Sequence, residues 1–169
     1  MERNMMQSLS GWTCELTKQT GTAGGNGMEI RIRRVKEEDD RIGQFIHDEF
    51  LSYSEQNDIR LDYDEFCFIA ENEESQIIGV VTGHAYYNEI HISDLVVDRK
   101  ERKNGVGSRL IETVENAYKD KRYEIITLAT FGFQAPDFYQ KLGYTIEFIR
   151  KNKDPKLDKY FMSKENKQD

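Results

Sequence analysis

Cysteine is scarce in this chain: its 169 residues hold two, Cys14 and Cys67, with no metal-ligand spacing around either. The expectation is a reducing compartment and no structural metal. Histidine is nearly as rare, and His47, His84 and His91 form no motif. No apolar run approaches the length of a membrane span, and the first residues lack the basic-then-apolar layout of a secretory signal. A soluble, cytoplasmic chain without a membrane partner is expected. Positive charge is also in deficit, since 24 Lys and Arg face 31 Asp and Glu, for a net charge of −7. Within residues 1–27, Glu2 and Glu15 offset Arg3 and Lys18, so the deficit belongs to the remainder. This balance argues against nucleic acid as a partner and mildly favours cationic acceptors.

The length suits one domain with a proper core and is short for two. Residues 1–27 are polar, end in Gly-Thr-Ala-Gly-Gly-Asn-Gly and show no helical or strand periodicity. They read as a flexible leader, native or vector-derived, ahead of a single domain over residues 28–169. Ile30, Ile32 and Val35 then mark a first strand, and Glu37 to Ser54 a helix with Ile42, Phe45, Ile46 and Phe50 on one face. Residues 57–65 read as a loop or short helix. Phe66–Ala70 and Ile77–Ala85 predict an antiparallel hairpin through Asn72-Glu73-Glu74-Ser75, with Glu89–Val97 as the next strand. Val106, Leu110, Ile111, Val114, Ala117 and Tyr118 recur at spacings of three and four, as one face of a helix does. Ile125–Phe131 reads as an interior strand covered on both faces. Pro136 opens a short helix that Gly143 ends, and Tyr144–Ile149 and Lys159–Ser163 are closing strands.

Between the Leu95-Val96-Val97 strand and the long helix lies Arg102-Lys103-Asn104-Gly105-Val106-Gly107. Two glycines let backbone approach an anion, Arg102 and Lys103 bring positive charge, and the helix start aims unpaired N–H groups and its positive dipole end at the same spot. A pyrophosphate cradle follows. It is not a Rossmann loop, because position 110 is Leu where a third glycine would stand, and no Gly-Lys-Ser or Gly-Lys-Thr makes it a P-loop.

The pattern Leu-x-Val-x4-Arg-x-x-Gly-x-Gly over residues 95–107 resembles the acetyl-coenzyme A loop of the GNAT N-acetyltransferase superfamily. A second block, Ala135-Pro136-Asp137-Phe138-Tyr139-Gln140-Lys141-Leu142-Gly143-Tyr144, is similar to that family's other signature. The resemblance implies an α/β (α+β) fold: a mixed, largely antiparallel sheet of about six or seven strands with helices on both faces. It implies acetyl-CoA as cofactor, with Leu95, Val96 and Val97 offering backbone groups to the pantetheine arm and residues Arg102, Lys103, Asn104, Gly105, Val106, Gly107 and Ser108 holding the pyrophosphate. Tyr139 falls where the family's phenol protonates the departing thiolate. One departure stands out, since Gly132 occupies a position where many relatives carry Asn.

Amine acetylation needs an unprotonated nitrogen, and an alkyl amine has a pKa of roughly 10. A carboxylate to help remove that proton is therefore expected, and Asp94, directly before the cofactor strand, is the leading candidate. Glu89 and the acids of residues 58–65 are rivals. Those acids, Asp58, Asp62, Asp64 and Glu65, also offer a surface that would draw a cationic small-molecule amine. Cys67 is far from the motifs and has no positioned His, so direct transfer in a ternary complex is expected. Two alternatives remain open: a non-catalytic acyl-CoA sensor, and an N-acetyltransferase of protein or peptide amines. Exposed strands near the C-terminus leave room for a homodimer.

Overall fold

The computed structural model describes residues 30, 32–36, 39–60, 62–119 and 121–166. The leader, with Cys14, and the proposed domain start at Met28 lie outside them. The chain divides into two units, residues 1–49 and 50–169. Helix α1 (Asp40–Gln56) begins in the first, where the Asp39 carboxylate accepts a hydrogen bond from the Ile42 N–H at 2.9 Å. An N-cap of this kind satisfies a donor that the helix itself cannot. The strand expected at Ile30, Ile32 and Val35 is not formed among the described residues. Alternation makes one face apolar, but a strand also needs a neighbouring edge to bond.

The second unit contains a six-stranded sheet with strands β1 (Tyr63–Glu71), β2 (Ile77–Tyr86), β3 (Glu89–Val97), β4 (Ile125–Phe131), β5 (Thr145–Arg150) and β6 (Lys159–Glu165). Their spatial order is β1-β2-β3-β4-β6-β5, and every pair is antiparallel except β3 with β4. Helix α2 (Val106–Tyr118) is the crossover between those two parallel strands, and α3 (Pro136–Lys141) connects β4 to β5. The expected mixed, mostly antiparallel sheet is thus present with six strands.

The core forms where one face of the sheet meets α2. Leu110, Ile111, Val114 and Tyr118 of the helix are buried against Val81, Ala85, Ile90, Ile92, Ile126 and Leu128. Burying a side chain of this size stabilises by roughly 1.5–3 kcal/mol, so the helical spacing read in the sequence is what holds α2 in place. At the far end of α2, Asn166 donates from Nδ2 to the carbonyls of Tyr118 (3.0 Å) and Tyr123 (2.8 Å). β4 alternates in burial: Ile126, Leu128 and Thr130 are buried, whereas Thr127 and Ala129 are only half-buried. The strand is interior in its pairing, as expected, but its second face, formed by Ile125, Thr127, Ala129 and Phe131, is half-buried rather than covered by another layer. Among the described residues no helix is long and apolar enough to cross a membrane, and no group of three metal-ligating side chains occurs.

Candidate functional site

The parallel ladder between β3 and β4 is short. It joins Glu89–Ile92 to Ile125–Leu128 and then stops, although both strands continue. Where it stops, β3 carries a bulge: Thr82 of β2 faces Asp94 and Gly83 faces Ile92, so Ser93 is the extra residue. A bulge bends its strand and reverses the side-chain alternation beyond it. Ile90 and Ile92 point into the core, and in a strand without the bulge the next core-facing residue would be Asp94. With it, Leu95 packs against the core and Asp94 turns to the opposite face, where Thr82 Oγ1 donates to its carboxylate at 3.2 Å.

Beyond the bulge the strands border a cleft of about 940 Å³. One wall is Ser93–Val97, the floor is the loop before α2, and the other wall is Ala129, Thr130 and the start of α3. The loop is shaped by Asp98, whose carboxylate accepts from the Lys100 N–H at 2.7 Å and whose carbonyl accepts from the Glu101 N–H. Lys103 and Gly105 then take positive φ, 71° and 82°, which turns the chain into the helix. The first intrahelical bond runs from Arg109 N–H to the Gly105 carbonyl, and no side chain caps this end. The first-turn amides of α2 are therefore available to a ligand, in a place where the helix dipole favours an anion. Open space surrounds the position of a Cβ at Gly105. Such a cradle fits the pyrophosphate that the sequence led us to expect.

All of the cofactor candidates line this cleft except Asn104 and Val106. The Asn104 amide bonds Glu101 instead, at 3.3 Å, and the Val106 side chain lies beneath Gly79. Arg102 lines the cleft with its Nε donating to the Val97 carbonyl at 3.1 Å, which ties the loop to the end of β3. Asp94 and Tyr139 line it as well.

Tyr139 is more deeply placed than its helical position suggests. It belongs to the core, 8% exposed, with its ring edge-on to Phe138 and Tyr144, while Phe138 is only half-buried. Burial pushes its pKa up to about 12, and its hydroxyl has no hydrogen-bond partner among the described residues. A phenol held in this way keeps its proton and presents it to whatever enters the cleft.

Residues missed by sequence reasoning lie on the second wall. The Gln134 side chain accepts from the Phe131 N–H at 2.9 Å and from Thr130 Oγ1 at 3.3 Å, closing the turn between β4 and α3. Gly132 sits in that turn with the Pro155 carbonyl where a Cβ would lie, 2.7 Å away, so no asparagine fits there. The acids expected to attract an amine are largely engaged: Asp62 pairs with Arg122 at 2.8 Å, Asp64 accepts from Tyr118 Oη at 2.8 Å, and Glu65 from Tyr63 Oη at 2.8 Å. Glu89 lies outside the cleft, accepting from Thr127 Oγ1 at 2.6 Å.

Comparison with known proteins agrees with this geometry. Residues 32–144 match the acetyltransferase (GNAT) family. The chain belongs to that family. It is 32% identical over 101 residues to a blasticidin-S acetyltransferase of Streptomyces morookaense, covering 59% of this chain and 74% of that protein. A crystal structure of an acetyltransferase from Bacillus cereus ATCC 14579 superposes with a TM-score of 0.64 at 29% identity, covering 79% of this chain and 97% of that one. The aminoglycoside 6'-N-acetyltransferase from Enterococcus faecium shares the fold, with a TM-score of 0.53 at 19% identity over 62% of this chain and 74% of the other. This GNAT chain is accordingly an N-acetyltransferase.

The loop gives a first prediction. In Gly105→Val a β-branched side chain must take a φ near +82°, a left-handed geometry that costs about 1–2 kcal/mol. Calorimetry with acetyl-CoA should show affinity lowered about tenfold, with the thermal midpoint falling by only a few degrees.

Proposed function

We propose that this N-acetyltransferase uses acetyl-CoA and transfers the acetyl group directly to the primary amine of a small cationic molecule. The observation that supports it best is the cleft where the β3–β4 ladder ends, with uncapped helix amides at one end and the unpartnered Tyr139 hydroxyl on its wall. Acetyl-CoA supplies an activated acyl carbon and a thiol leaving group.

The protein's own groups do the rest. The first turn of α2, with Arg102 and Lys103, holds the diphosphate. Backbone groups of Leu95–Val97 run beside the pantetheine arm as an added strand would. The Tyr139 hydroxyl donates to the departing sulfur. Asp94, turned outward by the bulge, sets a carboxylate on the cleft wall, where it attracts the acceptor's ammonium. The name of the blasticidin-S relative agrees with a small-molecule acceptor.

Calorimetry with acetyl-CoA, followed by free-thiol release across a panel of amines and peptides, tests the reading. Folded protein that gives neither heat nor a thermal shift overturns it. Binding without thiol release from any amine or peptide would instead identify an acyl-CoA sensor. For Asp94→Asn the expected outcome is a KM for the amine raised about tenfold or more, with acetyl-CoA affinity unchanged.

A further inference from the structure

A second cavity, about 410 Å³, opens on the sheet face opposite α2. His84 and Tyr86 of β2, Glu89 and His91 of β3, Thr127 of β4 and Glu147 of β5 line it, and Phe161 closes one side. It adjoins the cofactor cleft, because Leu128 lines both. Asp94 is on this face too: its partner Thr82 is two residues from His84 on β2, and the rings of His84 and His91 lie 5.3 Å apart. A molecule in this cavity and one in the cleft would therefore meet at the point where the β3–β4 ladder ends.

Inside the cavity runs a hydrogen-bonded chain whose polarity is set by chemistry. A carboxylate can only accept, so Thr127 Oγ1 must give its single proton to Glu89 Oε1, at 2.6 Å. The same oxygen lies 2.9 Å from His91 Nδ1, and with its proton committed it can only accept there. Neutral His91 is therefore the Nδ1–H tautomer, which leaves its Nε2 lone pair free. A histidine oriented by a hydroxyl and a carboxylate in this way has the arrangement of a general base.

We propose that this cavity receives the acceptor amine and that His91 Nε2 takes the proton from its ammonium, with Thr127 and Glu89 as positioning residues. This rests on the acetyltransferase reading above. The ammonium proton passes to Nε2 and thence to solvent. The nitrogen then bonds the acetyl carbon as the carbon–sulfur bond breaks, and the nitrogen's second proton goes to the sulfur. The walls define the acceptor's class: Glu89 and Glu147 favour a cation, and Tyr86 and Phe161 favour a flat or apolar portion beside it.

Burial pushes the pKa of His91 below its ordinary value, and the neighbouring His84 and Lys159 add to this, while Glu89 opposes it. Glu147 faces the same cavity from β5. His91 is thus neutral, and able to accept a proton, across the neutral pH range.

Long-range ¹H–¹⁵N NMR of the CoA-saturated protein, alone and with tyramine or spermidine, gives a readout that does not need turnover. We expect the Nδ1–H tautomer at His91 and a shift of its ring signals on adding at least one of these amines. An Nε2–H tautomer, or rings that neither amine perturbs, overturns the proposal. With the amine that binds, His91→Gln and Thr127→Val should lower kcat at least about thirtyfold at unchanged acetyl-CoA affinity, and Thr127→Ser should restore it to within about threefold. Glu89→Gln removes a charge that raises the His91 pKa, so the acid limb of its kcat profile should move to lower pH. Unaltered rate in His91→Gln overturns the proposal while leaving the acetyltransferase reading intact. Failure to bind acetyl-CoA would strike that reading instead, and the tautomer would still be measurable.

Discussion

Tyr139→Phe should lower kcat by roughly two orders of magnitude while leaving the affinity for acetyl-CoA within about twofold, the signature of a donor that acts on charge developing in the transition state. The phenol is 8% exposed, and its hydroxyl has no partner among the described residues, so its removal breaks no hydrogen bond of the fold. The ring, which makes the contacts to Phe138 and Tyr144, stays. The thermal midpoint should therefore hardly move, and a fall of many degrees would show that the hydroxyl serves stability. The raised pKa refines the role. At about 12 it stands some 3–4 units above a thiol near 8.5, so outright proton transfer to a thiolate would be uphill by ~5 kcal/mol. In the proposed mechanism Tyr139 is therefore a hydrogen-bond donor to sulfur rather than a free acid, and the rate should show no titration of the phenol between pH 6 and about 9.

Gly83→Ala should be the most damaging single substitution for stability. A Cβ there would lie 2.1 Å from the His91 carbonyl oxygen and 2.4 Å from the Cζ of Phe66. Phe66 belongs to the core and the carbonyl is main chain, so neither can yield by a side-chain rotation at the surface. Overpacking of a core costs typically ~1–3 kcal/mol, and a clash with backbone belongs at or above the top of that range. Thermal unfolding should show a midpoint lowered by about 10 °C, given about 2–4 °C per kcal/mol for a chain of this size. Because the displaced strand is β3, the activity remaining below that midpoint should fall as well. A midpoint within two degrees of the parent would mean that β2 and β3 separate more easily than this geometry allows.

Much of this architecture is legible in the chain because local pattern and tertiary role agree. The spacings of three and four from Val106 to Tyr118 mark the helix that fills the core, and Pro136 and Gly143 bracket α3, with φ of +90° at the glycine. The glycine loop could be located because backbone chemistry, not long-range packing, makes a helix N-terminus an anion site. What the pattern conceals is cross-strand. His84 and His91 lie seven residues apart with no motif between them, yet the two-residue turn at Tyr87-Asn88 pairs Tyr86 with Glu89 and so sets the histidines opposite each other. Thr127 sits in a mostly apolar run, where one polar residue carries no signal until its neighbours are known. The bulge at Ser93 is invisible for a different reason: Ile-Ser-Asp-Leu continues the strand smoothly in composition, and only the register with β2 exposes the extra residue.

That extra residue lets one strand serve two masters. On either side of Ser93, β3 turns an apolar set of side chains inward, Ile90 and Ile92 before it and Leu95 after, while His91 and Asp94 share the outer face. Substitutions on the outer face can retune which molecule is accepted while the inner set continues to anchor the strand to α2. Inserting or deleting a residue in the regularly paired stretches on either side of the bulge would instead exchange the two sets beyond it, so diversification there should proceed by replacement and almost never by a change of length.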